Sequence, residues 1–125
     1  MNKIRYLFDE HVSSHLRNAV RKYDSDIIIR RIGEADTPEI GTADSDILIW
    51  CETDYFSLIT NNRRTMPEHL KAHLAKDRHV PGIFIINPNM TMDETAYELS
   101  LIAGAGEPAE FRDRLIYLPI TKQLK

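Results

Sequence analysis

The stretch IRYLFDE, residues 4–10, decides how this sequence folds. Its first five residues are mostly apolar β formers, and the acids Asp9 and Glu10 follow them directly. From residue 12 to residue 23 the apolar residues recur at helical spacing, with basic residues between them. A strand that leads through a short loop into an amphipathic helix indicates an α/β fold.

The rest of the chain repeats this alternation of strand and helix. Short runs of β-branched and aromatic residues predict four more strands, at 27–29, 56–60, 82–86 and 115–118. Helical patterns separate these runs and begin near Asp44, Pro67 and Met92, the last with a break at Gly104 and Gly106 and a further turn around Phe111. The sequence therefore predicts an α/β fold, a single three-layer α/β/α domain with a mostly parallel central sheet.

Length and composition set the class of protein. The chain has 125 residues, 42% hydrophobic residues and a formal net charge of −3, which are values typical of one globular domain. We expect this domain to cover 1–120, with 121–125 as a polar tail. The single cysteine, Cys51, excludes an intrachain disulfide and is expected to be buried. With no signal peptide or membrane span in the pattern, we expect a cytoplasmic protein.

Acidic and amide side chains follow the predicted strands at three points. These are Asp9-Glu10, the helix start at Asp44 and Asp46, and Asn61-Asn62. Ligands of parallel sheets bind beyond the carboxyl ends of the strands, so these groups are candidates for one site. They are oxygen ligands of the kind that Mg²⁺ or Mn²⁺ prefers. The alternative role is capping of the helices and turns that begin there.

Residues 63–79 form the one basic stretch of this net acidic chain. Its cations are Arg63, Arg64, Lys71, Lys76 and Arg78. Such a stretch can hold a polyanion such as RNA, although a solvated helix face has the same composition. The histidines at 69, 73 and 79 lie in the same stretch, and we interpret them as surface residues.

The order of these motifs resembles the small bacterial PIN-like proteins, relatives of the PIN-domain toxin ribonucleases. The resemblance rests on a strand ending in Asp9-Glu10, on Asp44 in the run Asp44-Ser45-Asp46-Ile47-Leu48, and on a strand ending at Thr60-Asn61. It covers about the first two thirds of the chain.

The resemblance implies a metal-dependent ribonuclease, with the toxin of a toxin–antitoxin pair as one role. Its metal, Mg²⁺ or Mn²⁺, would be held by Asp9, Glu10 and Asp44, and Asn62 would join them as a catalytic residue. The phosphate of the RNA substrate would contact Asn61, Arg63 and Arg64. Expected partners are RNA and a small antitoxin protein, with no membrane, and a homodimer is left open.

The sequence departs from the family at the third motif. Where the family has two aspartates and an aromatic residue, this chain has Asn62, Arg64 and Thr65. Two negative charges are lost and one positive charge is gained. If three acids suffice for one metal, the ribonuclease hypothesis stands; if the site needs a fourth acid, the alternative is a catalytically degenerate PIN-like binding or regulatory module. A third hypothesis, a sugar- or nucleotide-binding α/β domain, lacks a glycine-rich phosphate loop in this sequence.

Overall fold

A computed structural model describes residues 3–121 of the chain. The strands are β1 (Tyr6–Phe8), β2 (Ile29–Arg31), β3 (Ser57–Thr60), β4 (Ile83–Ile85) and β5 (Leu115–Tyr117). The helices are α1 (His15–Tyr23), α2 (Asp44–Asp54), α3 (Met66–Ala75), α4 (Met92–Ala105) and α5 (Pro108–Phe111). The predicted tail at 121–125 lies outside the described residues except for Thr121. Within residues 3–121, no helix is long and apolar enough to cross a membrane.

The five strands form one sheet in the order β2-β1-β3-β4-β5, and every neighbouring pair is parallel. The predicted α/β class with a parallel sheet is therefore confirmed. After β1, the chain first forms β2 next to one edge of β1 and then forms β3 next to the opposite edge. The strand order thus reverses between β1 and β3, and in doubly wound sheets the crevice at this point is where ligands bind.

Helices cover both faces of the sheet. The side chains of Tyr6 and Phe8 point to one face and belong to a core that includes residues of α1, α4 and α5. Leu7, between them, belongs to a second core with residues of α2 and α3. Because successive side chains of a strand point to opposite faces, each buried strand has apolar residues on both sides.

The connection from β4 to β5 has the opposite hand to the other three. The connection through α1 leads from β1 to β2 and packs on one face of the sheet. The connections through α2 and α3 lead in the opposite direction along the sheet and pack on the other face. These three therefore share one hand. The connection through α4 and α5 steps in the direction of α2 and α3 but packs on the face of α1. Nearly all such crossovers have one hand, so the general rule does not predict this one.

The reversed connection leaves one side of β5 partly open. Ile116 faces the core under α4, whereas Tyr117 faces the layer of α2 and α3 and remains 41% exposed. An exposed aromatic ring therefore lies at the carboxyl end of the last strand.

Each predicted strand differs from the observed one by one or two residues at its ends, and two of the boundary differences in the chain have a clear physical reason. The strand predicted at 27–29 begins at Ile29, because that residue is the first to pair with β1, while Ile28 is 45% exposed. The helix predicted to break at Gly104 continues to Ala105 and ends at Gly106. A Cβ atom at Gly106 would lie 2.6 Å from the Ile102 carbonyl oxygen and 2.7 Å from the Phe111 ring, so only glycine fits this turn.

Candidate functional site

The fold brings the three predicted acidic and amide segments to the carboxyl edge of the sheet. Asp9 follows β1 directly, and Asn61 and Asn62 follow β3, its hydrogen-bonded neighbour. Asp44 is the first residue of α2, which returns to the sheet from the loop after β2. The point where the strand order reverses is therefore lined by residues that the sequence singled out.

Asp9 is a buried acid with protein hydrogen-bond partners on both carboxylate oxygens. Its side chain is part of a residue that is only 8% exposed. The Thr60 hydroxyl donates to Oδ2 at 2.8 Å, and the Glu10 backbone N–H donates to Oδ1 at 2.8 Å. These bonds compensate the desolvation of the carboxylate, so Asp9 fastens the end of β1 to the end of β3.

The side chain of Glu10 bonds to the loop before α2. Its Oε1 accepts a hydrogen bond from the Gly41 backbone N–H at 3.0 Å, and its Oε2 lies 3.9 Å from Nε2 of His11. The Arg31 guanidinium donates to the backbone carbonyls of Glu10 and Val12. The turn after β1 is therefore fixed by β2 and by the following loop.

Asn62 connects β3, α2 and α3 through both ends of its side-chain amide. Its Nδ2 donates to Asp44 Oδ2 at 3.2 Å and to the Thr65 hydroxyl at 2.7 Å. Its Oδ1 accepts the Thr65 backbone N–H at 3.1 Å. A carboxylate requires a donor and a backbone N–H requires an acceptor, so these partners determine which way the amide faces.

Asp44 bonds to side chains rather than capping its own helix. The N-cap of α2 is Ala43, and no side chain among residues 3–121 caps this helix end. Asp44 Oδ2 instead accepts from Asn62 and lies 3.4 Å from His69 Nε2. Its negative charge still favours the helix dipole, as does that of Asp46 in the same first turn.

The three carboxylates do not converge on a common cation position. Asp9 bonds to Thr60, Glu10 to Gly41, and Asp44 to Asn62. Across the part of the chain that the structure describes, no three His, Cys, Asp or Glu side chains are arranged to hold a metal ion. As arranged, these residues do not fit as a joint ligand set for Mg²⁺ or Mn²⁺, and the metal site stays a prediction.

The residues predicted to contact phosphate lie at the outer rim of this edge. Asn61, Arg63 and Arg64 are exposed. Asn61 Nδ2 donates to the His11 carbonyl oxygen at 3.1 Å, which ties the turn after β3 to the turn after β1. The Arg63 guanidinium carbon lies 5.8 Å from the ring centroid of Tyr117, a cation–π distance.

The prediction that the histidines lie on the surface is wrong for His73. It is 5% exposed, and its Nε2 lies 3.0 Å from the His79 carbonyl oxygen and 3.1 Å from Glu52 Oε1. Both partners accept, so Nε2 carries a proton. His79 is half exposed, and its Nδ1 lies 2.8 Å from Asp113 Oδ2. These contacts join α2, α3 and the segments before β4 and β5.

Sequence reasoning missed Thr60 and His69 as members of the polar network at this edge. Thr60 is fully buried and both donates to Asp9 and accepts the Asn62 backbone N–H at 3.1 Å. A buried threonine directly before the amide pair is the signal that could have identified it. His69 gave no comparable signal, because its contact with Asp44 depends on how α2 and α3 pack. Cys51 is buried as predicted, and burial raises the pKa of its thiol.

Glu52 and Asp113 should make the fold sensitive to acid. Burial alone would raise the pKa of Glu52, but the His79 backbone N–H, Arg78 and His73 together hold it below its ordinary value. Burial alone would also raise the pKa of Asp113, but the Val80 backbone N–H and His79 hold it below its ordinary value. A carboxyl group whose pKa is lower in the folded state stabilises the fold at any pH above its unfolded-state pKa, which is about 4. This stability is lost as the pH falls through the folded-state pKa.

We therefore expect Glu52→Gln and Asp113→Asn to lower the free energy of unfolding at pH 7 and to flatten its decline below pH ~4.5. Urea denaturation at pH 7 and pH ~3.5 measures both effects. The exposed Asp26→Asn is the control, and it should follow the wild-type pH profile. A wild-type profile in both test variants would show that these two carboxylates do not contribute.

Comparisons with known proteins identified no relative of this chain. The chain matches no protein-family model, no curated protein and no solved structure.

Proposed function

We propose that this chain is a PIN-like domain that binds RNA at the carboxyl edge of its sheet, as a binding or regulatory module. The observation that carries the proposal is the side-chain amide of Asn62. It stands where the resembling family has an acid, and it donates to Asp44 instead of offering an oxygen to a cation. Its oxygen is engaged by the Thr65 backbone N–H.

The basic rim beside Asn62 supports RNA as the ligand. Arg63 and Arg64 are exposed and follow β3 at the point where the strand order reverses. A guanidinium group matches the geometry of phosphate oxygens, and contacts of this kind supply most of the affinity for nucleic acid.

The exposed ring of Tyr117 favours a single-stranded nucleic acid over a small anion. This ring is 41% exposed and lies beside the Arg63 guanidinium. Aromatic rings next to cations stack unpaired bases while the cations contact the backbone. The antitoxin and homodimer partners stay predictions.

Removal of the two arginines tests the proposal. We expect Arg63→Ala/Arg64→Ala to weaken binding of a labelled single-stranded RNA of mixed sequence by about tenfold or more. The slope of log K against log salt should become shallower by about 1.4, since two phosphate contacts are lost. Fluorescence anisotropy at several salt concentrations measures both quantities.

A matched control separates this surface from the loss of net charge. Arg112→Ala/Arg114→Ala removes two exposed arginines that precede β5 and therefore lie at the amino edge of the sheet. This variant should bind RNA as the wild type does. Equal weakening in the two double variants would assign the binding to nonspecific charge and overturn the proposed surface.

A further inference from the structure

A second basic feature lies on the other face of the sheet, between α1 and the end of β2. It is a cavity of about 300 Å³, and its charged lining residues are Arg17, Arg21, Arg31 and Glu34. Ser14 and Asn18 add polar groups to its wall. The cavity is distinct from the rim formed by Arg63 and Arg64, since α1 packs on the face opposite to α2 and α3.

The lining carries more positive than negative charge. Three guanidinium groups face one carboxylate, on a chain whose formal net charge is −3. Arg17 and Arg21 are four residues apart on α1, so they lie on the same face of the helix. Arg31 reaches the same cavity from the end of β2.

The three arginines differ in the hydrogen bonds and ion pairs that they already form within the protein. Arg31 donates to the carbonyls of Glu10 and Val12, and it therefore has a structural role. Arg17 forms an ion pair with Glu34 Oε2 at 2.7 Å. Within residues 3–121, the structure gives Arg21 no hydrogen bond or ion pair. One guanidinium group thus lines the cavity without a counter-ion.

Glu34 is the one carboxylate among the charged residues that line the cavity. Its Oε2 binds Arg17, and its Oε1 accepts the Arg31 backbone N–H at 2.8 Å. Burial alone would raise the pKa of Glu34, but these hydrogen bonds hold it below its ordinary value, so the group is ionised at neutral pH. One carboxylate neutralises only one of the three cations.

We propose that this cavity binds a phosphate monoester. The dianionic phosphate would pair with Arg21 and Arg17, whose forked donors match tetrahedral phosphate oxygens. A volume of about 300 Å³ is at the lower end of small-molecule sites, so the cavity accommodates the phosphate with a small organic group attached. The proposal does not depend on RNA binding at Arg63 and Arg64.

Isothermal titration calorimetry with phosphate esters and their dephosphorylated counterparts tests the site. The probes are ribose 5-phosphate against ribose, adenosine 5′-monophosphate against adenosine, and a 5′-phosphorylated RNA trinucleotide against the same RNA with a 5′-hydroxyl. We expect binding that requires the phosphate. Binding of the two small esters would identify a free metabolite as the source, and binding of the trinucleotide alone would identify an RNA end.

Two variants should change this affinity in opposite directions. Arg21→Gln removes the guanidinium without a protein partner, and we expect binding weaker by about tenfold or more. Glu34→Gln removes the competing charge but keeps an acceptor for the Arg31 N–H, and we expect binding tighter by about threefold or more. A folding defect would not produce both changes.

Arg112→Gln, which removes an exposed arginine elsewhere, is the charge control and should leave the affinity unchanged. The proposal is overturned if neither the wild type nor Glu34→Gln binds any probe in a phosphate-dependent way. It is also overturned if Arg112→Gln weakens binding as much as Arg21→Gln does.

Discussion

Asp9→Ala is expected to lower the free energy of unfolding by about 2–4 kcal/mol. The substitution removes both acceptors of a buried carboxylate and leaves the Thr60 hydroxyl and the Glu10 backbone N–H without their partners. Hydrogen bonds to charged groups contribute about 1.5–3 kcal/mol each, and unsatisfied buried donors add to the cost. Urea denaturation at pH 7 measures the change.

The sign of this effect distinguishes a structural acid from a metal ligand. In a cluster of acids built to share a cation, removal of one acid relieves like-charge repulsion and stabilises the metal-free protein. Asp9 instead has a hydrogen-bond donor on each oxygen, so its removal should destabilise the fold. A stability equal to or above that of the wild type would contradict the structural role.

Two further variants refine the Asp9 experiment. Thr60→Val removes the donor to Asp9, and a double-mutant cycle with Asp9→Ala should give a coupling energy of about 1 kcal/mol or more. Asp46→Ala is the matched control, since this acid is exposed at the start of α2 and contributes mainly through the helix dipole. Its effect should remain below about 1 kcal/mol.

Phe84→Ala is expected to cost about 3–5 kcal/mol, the range for truncation of a buried aromatic residue. Phe84 is fully buried at the centre of the core beneath α1 and α4. Its ring packs edge-on against Tyr6, with centroids 6.3 Å apart, and against Phe111 at 5.4 Å. It therefore joins β4 to β1 and to the reversed connection that carries α4 and α5.

Tyr97→Ala is the control for Phe84→Ala. Tyr97 is 48% exposed on α4 and contacts Tyr23 at the surface, so its truncation should cost less than about 1 kcal/mol. Urea denaturation of both variants tests the comparison. If the two variants lost the same stability, the face under α4 would not be the packed core described above.

Local patterns were sufficient to predict the fold class. Runs such as residues 4–8 and 82–86 are apolar on both faces, which is the signature of strands buried in a parallel sheet. The order of the strands and the reversed hand of the last connection were not predicted. They depend on how helices pack across the whole sheet, which a single sequence does not encode locally.

The candidate site was predicted in its position but not in its contacts. The rule that parallel strands end at one edge correctly grouped Asp9, Asp44 and Asn62. It did not reveal that Thr60 would donate to Asp9 and Asn62 to Asp44, because those bonds depend on side-chain orientation. The cavity between α1 and β2 was missed for a similar reason, since Arg21 and Arg31 are brought together only by the fold.

We propose that the carboxyl edge holds RNA without cutting it, and a mobility-shift gel in Mn²⁺ is the most direct test. End-labelled RNA is incubated with the wild-type protein, separated on a native gel, recovered from the shifted band and sized under denaturing conditions. We expect full-length RNA in a shifted band that is lost with Arg63→Ala/Arg64→Ala. Shortened RNA that becomes full-length with Asp9→Asn would contradict the claim and establish a metal-dependent nuclease.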